Sequence, residues 1–405
     1  MPAEHAPTSA PDTVARLFRR SIGIFFMGGF VTALVGLLVP RLTLIDRLDY
    51  GRAALVQFAF HSSYLLFALP ITALLVRTGY MRAIAAGLGV MTLACLALGA
   101  AAWIGSFPLL LLALLCLSTG ITFLQIAANV VQPLVAAEGR GAARLTLLQG
   151  FNSIGTVLAP LLAAGFLLQV GALGRGQLAL PFLACAGVLA WLCLVFWRAR
   201  DLLTAHPPPH RLPLAQLGRV LRQRQLAWGS LAMFGYVGAE VAIGSLLANY
   251  LALPGILAAD PATAGRMVGL YWGGAMLGRF LGALGLARMA PARLLAGMAL
   301  GAALLVGVAS QAHGAAGAAA LIAVGLCNAI MYPTIFALAL PEDRGLAPYA
   351  SMILCMAVVG GAVVPLTTGV LADWIGLQSA LALPLLCYLG IGAFALLIAL
   401  SPVRR

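Results

Sequence analysis

Residues 234–250 read FGYVGAEVAIGSLLANY, a run of apolar and small residues with one carboxylate, Glu240, near its middle. Extended to 226–252, the run is long enough to cross the roughly 30 Å hydrocarbon core of a bilayer as a single helix. The chain holds eleven acids, and the other ten fall at positions 4, 12, 46, 49, 138, 201, 260, 342, 343 and 373, in termini, loops or helix ends. A charged side chain at the centre of a membrane helix costs roughly 2.5–3.5 kcal/mol on insertion scales. Glu240 therefore requires a partner, a watery cavity or a proton.

The surroundings of that run are of the same kind. Hydrophobic residues make up 62% of the 405 and charged residues 9%, with a mean hydropathy of +1.04. A soluble domain carries about a quarter charged residues, so this composition belongs to a polytopic membrane protein. The net charge of +13 comes entirely from arginine. The arginines stand in short loops between apolar spans, where they set topology, so no nucleic-acid partner is expected. Seven cysteines lie inside apolar spans without paired spacing, which fits reduced, buried thiols and no metal site.

Hydropathy predicts twelve spans, at about 21–42, 54–76, 83–104, 108–135, 146–170, 178–198, 226–252, 264–287, 292–311, 315–340, 347–372 and 378–400. The first is too long for a signal-peptide core and is expected to remain uncleaved. The Pro- and Arg-rich stretch 199–225 divides the chain into an all-α six-helix bundle at 21–198 and a second at 226–400, with tails at 1–20 and 401–405. With the N-terminus inside, eighteen arginines fall on the cytoplasmic side and five outside, with Arg279 within a helix. That bias predicts two cytoplasmic termini in a bacterial inner membrane. The halves also echo one another. Arg77-x4-Arg82 returns as Arg288-x4-Arg293, Gly29-Phe30-Val31 as Gly235-Tyr236-Val237, and Gly155-x4-Pro160 as Gly360-x4-Pro365, at offsets of 211, 206 and 205. Two six-helix repeats joined by a basic loop are the arrangement of major facilitator transporters.

Polar residues inside spans should face the bundle interior. The first half offers Gln57 and His61, then Gln125 and Asn129 at i, i+4, then Gln149 and Asn152 at i, i+3. The second adds Tyr236, Asn249, Trp272 and Asn328. Amides and aromatic rings together suit a sugar, whose hydroxyls need paired donors and acceptors and whose apolar face stacks on a ring. Isolated amides also join helices by hydrogen bonds, and for His61 a structural role and a transport role stand open together. Arg77, Arg82, Arg279, Arg288 and Arg293 are the candidate gate cations, with Glu138 or Asp343 as partners from other loops. No nucleophile–base pairing, metal constellation or phosphate loop suggests an enzyme.

Several runs resemble one known family, the fucose–galactose–glucose:proton symporters. They are FFMGGFVT at 25–32, ALVQFAF at 54–60, LQIAAN at 124–129, LQGFNSIG at 148–155, YVGAEV at 236–241, LYWGGAMLGR at 270–279 and MYPTIFAL at 331–338. The likeness spans about 22–395, and the second half looks most like the glucose/galactose branch. It implies the major facilitator fold, alternating access, a monosaccharide cargo, a proton or sodium ion as the only coupling species, and a monomer in the lipid bilayer. The chain departs from the family in two places. Val35-Gly36 stands where an Asn-Asp pair is usual in helix one, and Gln125 stands where the fucose branch has an essential Glu, although Gln is common there in the glucose branch. The first half then holds no intramembrane acid, and Glu240 is the candidate for proton coupling. Its other role would be static, fixing a break in helix seven beside Gly235, Gly238 and Gly244. The competing expectations are sodium-coupled or facilitative sugar transport, an efflux pump for lipophilic cations, and a sensor built on a transporter fold.

Overall fold

The structure is a computed structural model that describes residues 11–45, 60, 62–136, 140–167, 175–203, 218, 220 and 222–400. Within them it is built of helices, and no strand occurs among the described residues. In chain order these are α1 (Pro11–Ile45), α2 (Ser63–Leu66), α3 (Ala68–Thr78), α4 (Tyr80–Ile104), α5 (Phe107–Val135), α6 (Gly141–Leu167) and α7 (Arg175–Arg198). The second half continues with α8 (Arg224–Ala252), α9 (Pro261–Leu286), α10 (Pro291–Gln311), α11 (Gly314–Asn328) and α12 (Met331–Ala339). It ends with α13 (Ala347–Ala357), α14 (Gly360–Ile375), α15 (Leu377–Ala380) and α16 (Ala382–Leu400).

The starts and stops follow local chemistry. Gly79, at φ 87°, turns the chain from α3 into α4, a conformation that L side chains rarely adopt. Ser106 caps α5 by accepting from the Leu109 N–H, and Asp260 does the same at the start of α9 for Thr263. Pro291 opens α10, where its missing N–H costs nothing.

Among the described residues, nine segments are long and apolar enough to cross a membrane, the α11–α12, α13–α14 and α15–α16 pairs each counting as one. The other three expected spans, 54–76, 146–170 and 264–287, fall on α2–α3, α6 and α9, which are helical where described. Exposed side chains such as Leu93, Trp103, Leu161, Leu304 and Leu366 are large and apolar. That is a surface made for lipid, and it leaves close packing and polar links as the forces that hold the helices together.

The chain divides into two compact units. The first comprises 1–137, 151–212 and 343–355, and within it α4 packs between α5 and α7. The second comprises 138–150, 213–342 and 356–405, and within it α8 lies against α14 and α16, α10 against α16, and α9 against α11. The Gly/Pro echo noticed in the sequence has a structural counterpart. In the first unit a methyl group on Gly155 would stand 2.9 Å from the Phe30 nitrogen. In the second, a methyl group on Gly360 would stand 2.8 Å from the carbonyl carbon of Phe234. The same glycine in each repeat brings the backbones of its helix and the repeat's first helix to near contact.

The break expected in helix seven is absent: α8 runs unbroken for 29 residues from Arg224 to Ala252. Its glycines serve close packing, Gly238 against Val364 and Gly244 against Trp272. Among the described residues, discontinuities within spans lie at 67, between α2 and α3, at 329–330, between α11 and α12, at 358–359, between α13 and α14, and at 381, between α15 and α16.

Candidate functional site

Glu240 sits on α8 in the second unit. As a residue it is half-buried, but its carboxyl oxygen Oε1 is shut off from solvent and accepts no hydrogen bond. The Tyr236 hydroxyl, one turn earlier, donates to the carboxyl group, and the positive field of Arg279 on α9 acts on it. The main-chain carbonyl of Glu240 accepts from the Tyr271 hydroxyl at 3.1 Å. Tyr271 in turn accepts from Asn328 Nδ2 at 2.8 Å, and Asn328 Oδ1 accepts from the Tyr388 hydroxyl at 2.8 Å. One acid is thus surrounded by phenols, an amide and a cation contributed by α8, α9, α11 and α16. Such a group can hold or release a proton, and nothing beside it is equipped to cut or form a covalent bond.

Close backbone approach makes this cluster possible. Trp272 lies over Gly244, where a methyl group would come within 2.7 Å of its ring, and Gly325 of α11 abuts the main chain of Tyr271. Tyr271 and Trp272 stand edge to face, with centroids 5.0 Å apart. Trp272 itself is 42% exposed and Asn249 is exposed near the end of α8, whereas Asn328 is fully buried with both ends of its amide engaged. Arg279 Nη1 donates to the Gln149 carbonyl at 3.4 Å, so its cation also fastens the part of α6 up to residue 150, which lies in the same unit.

In the first unit the two amides on α5 meet, Asn129 Nδ2 donating to Gln125 Oε1. Asn129 is 2% exposed, and Gln125 is half-buried. Asn152 on α6 reaches α1 and donates to the Phe25 carbonyl at 3.0 Å. Gly29 permits this, since a side chain there would strike the main chain of Asn152. Gln57, His61 and the proposed gate partner Glu138 lie outside the described residues. Arg77, Arg288 and Arg293 are exposed, and Asp343 accepts from the Gly345 N–H. Arg82 approaches Asp201 at 3.8 Å, both side chains being about half exposed or more, a pair worth under about 1 kcal/mol.

The residues that sequence reasoning passed over are Tyr271, Tyr388 and Asp201. Tyr271 adjoins Trp272, so choosing the indole hid the phenol. Tyr388 sits alone in a strongly apolar helix, where it reads as an interfacial aromatic. Among the described residues no cluster of His, Cys, Asp and Glu is placed to hold a metal ion.

Membrane-spanning helices that bury amides, phenols and an acid among them have the make-up of a transporter. Residues 21–340 match the model of the Major Facilitator Superfamily. The chain is 35% identical over 400 residues to the glucose/galactose transporter of Brucella abortus, covering 97% of this chain and 96% of that protein. It is 29% identical over 409 residues to the L-fucose-proton symporter of Escherichia coli, covering 92% and 90%. The crystal structure of FucP, a Major Facilitator Superfamily transporter, in the outward conformation superposes with a TM-score of 0.85, at 26% identity, covering 95% of this chain and 99% of that one. The chain belongs to the Major Facilitator Superfamily, and within it to the fucose–galactose–glucose group that its sequence resembles, so its fold is the twelve-helix fold of two six-helix bundles.

Proposed function

We propose that this protein is a secondary active transporter that carries a neutral hexose by alternating access, in symport with a proton. The observation that carries the reading is the environment of Glu240, an acid that the sequence places alone in mid-membrane and whose Oε1 receives no donor. Carrying a proton there removes the cost of a buried charge with one oxygen undonated, and the hydroxyl of Tyr236 and the field of Arg279 favour its release. The glucose/galactose transporter and L-fucose-proton symporter to which the chain is similar support the cargo and the ion.

In this proposal the bundles 21–198 and 226–400 rock about the cargo, joined by the linker 199–225. The sugar is held by the amides Gln57, Gln125, Asn129, Gln149 and Asn152 with His61, and by Tyr236, Asn249 and Trp272. Asn328 supports that set from within the second unit. Arg77, Arg82, Arg279, Arg288 and Arg293 serve the gate. The protein works as a monomer in the bacterial inner membrane with both termini cytoplasmic, and it needs no cofactor beyond the coupling ion.

Uptake into proteoliposomes tests this directly. An inward proton gradient should drive accumulation of D-glucose or D-galactose above the external level, and Glu240→Gln should abolish accumulation while leaving sugar exchange within about twofold. Accumulation driven by sodium alone would assign the other ion. Equilibration with neither gradient would leave a facilitator. Thermal stabilisation by lipophilic cations and by no monosaccharide would point to efflux.

A further inference from the structure

Tyr271 stands where α8, α9 and α11 meet. Its hydroxyl accepts from Asn328 and donates to the Glu240 carbonyl, and Tyr388 donates to the other end of the Asn328 amide. All three side chains are fully buried. The chain of bonds runs in one sense, because each phenol has a single proton to give. Turning the Asn328 amide over would draw the Tyr271 proton to Asn328 and away from Glu240, so the arrangement fixes the amide as well as the phenols.

Asn328 is the last residue of α11, and Met331 is the first of α12. The main chain of Glu240 is therefore tied through Tyr271 to the residue immediately before the break. Glu240 is also tied to the far side. Tyr236, which donates to its carboxyl group, has its ring 6.4 Å from that of Tyr332, the second residue of α12. A single acid thus bridges both flanks of a helix discontinuity. A discontinuity inside a membrane span is tolerated only where neighbouring groups satisfy the freed backbone and hold the two pieces, and it is the natural place for a helix to re-aim.

We propose that Tyr271, Asn328 and Tyr388 are positioning residues that couple the charge state of Glu240 to the break at 329–330, so that gain or loss of its proton re-aims α12 against α11. The proposal rests on Glu240 as the proton carrier. The titratable and charged groups that face Glu240 are Tyr236 on its own helix, Tyr271 and Arg279 on α9, and Tyr388 on α16. Protonation would release the carboxyl group from the field of Arg279 and change what it asks of Tyr236, which bears directly on Tyr332.

The test is a double-mutant cycle on sugar exchange in proteoliposomes, using whichever of D-galactose and D-glucose the wild type exchanges. Tyr271→Phe should lower exchange about fivefold or more in the wild-type background. In Glu240→Gln, whose charge state is fixed, the same change should alter exchange by less than about twofold, because the chain has nothing left to transmit. Tyr388→Phe removes one oxygen at the far end and should give the same pattern. It carries the test if Tyr271→Phe does not fold. Equal factors in both backgrounds would mark a purely structural role, and no effect in either would remove any role, so both overturn the proposal. Concentrative uptake retained in Glu240→Gln would instead overturn the proton-carrier reading, whatever the tyrosine variants do.

Discussion

Gly360→Ala tests whether bare backbone contact holds α14 against α8. A methyl group there would stand 2.8 Å from the Phe234 carbonyl carbon and 3.0 Å from its Cα, where unstrained carbons keep about 3.5–4.0 Å. The obstacle is main chain, so no rotamer change clears it, and the helices must part by about 1 Å. A gap of that size forfeits a quarter to a half of each facing contact. The contacts include Gly238, which lies against the Gly360 carbonyl and Val364. Overpacking of this kind costs about 1–3 kcal/mol. In lipid no gain in hydrophobic burial offsets it. Gly369 is the control: it lies in the same helix, and a methyl group there meets nothing within 4 Å. Gly369→Ala should be neutral or stabilising by up to about 1 kcal/mol, since alanine is the better helix former. The assay is thermal unfolding of the full chain in detergent, followed by size-exclusion chromatography of the heated samples. Gly360→Ala should melt below wild type by on the order of 2 °C per kcal/mol lost, with Gly369→Ala at or above it. Equal midpoints for the two variants would refute the close-contact argument.

Three further perturbations are smaller. Gln132 Nε2 donates to Ser21 Oγ at 3.0 Å between two buried side chains, so Ser21→Ala should cost about 0.5–2 kcal/mol in the same melting assay. Asp201→Ala should change stability by less than about 1 kcal/mol, because its contacts to Arg82 and Arg200 are both 3.8 Å and solvent-exposed. Gly325→Ala should melt early and also slow sugar exchange, since a methyl group there would stand 2.9 Å from the Tyr271 carbonyl carbon and displace the phenol from Glu240.

The fold was legible because membrane spans announce themselves by length and composition, and because Glu240 is conspicuous in a chain so poor in acids. The partners of Glu240 were not legible. Tyr271, Tyr388 and Arg279 lie 31, 148 and 39 positions away, and nothing local in their sequence marks them as belonging to one cluster with Glu240. The amide pairs show the same limit. The i, i+4 spacing of Gln125 and Asn129 placed both on one face, and there they bond to each other. Gly235, Gly238 and Gly244 suggested a break because glycine weakens a helix, yet here it lets another helix come close.

The breaks themselves argue that the two repeats have diverged in function. Shifted by the offset of 205, the break at 329–330 falls at 124–125, inside α5, and the break at 358–359 falls at 153–154, inside α6; both helices are continuous there. The chemistry explains the first difference. Pro333 has no N–H for the Ala329 carbonyl, and its ring crowds that carbonyl, whereas Ala128 stands at the matching position of α5 and donates normally. In the second case Gly360 and Gly361 follow the break directly, where α6 has Gly155 and Thr156. The second repeat therefore holds the one acid that the sequence places deep in a span, the phenol chain that holds its main-chain carbonyl, and the helix discontinuity beside it. The first repeat holds no acid within its predicted spans, with Gln125 on α5 and Val35-Gly36 on α1. In the proposed function this division would give the first repeat the amides for the sugar, and the second the acid and the hinge for the proton.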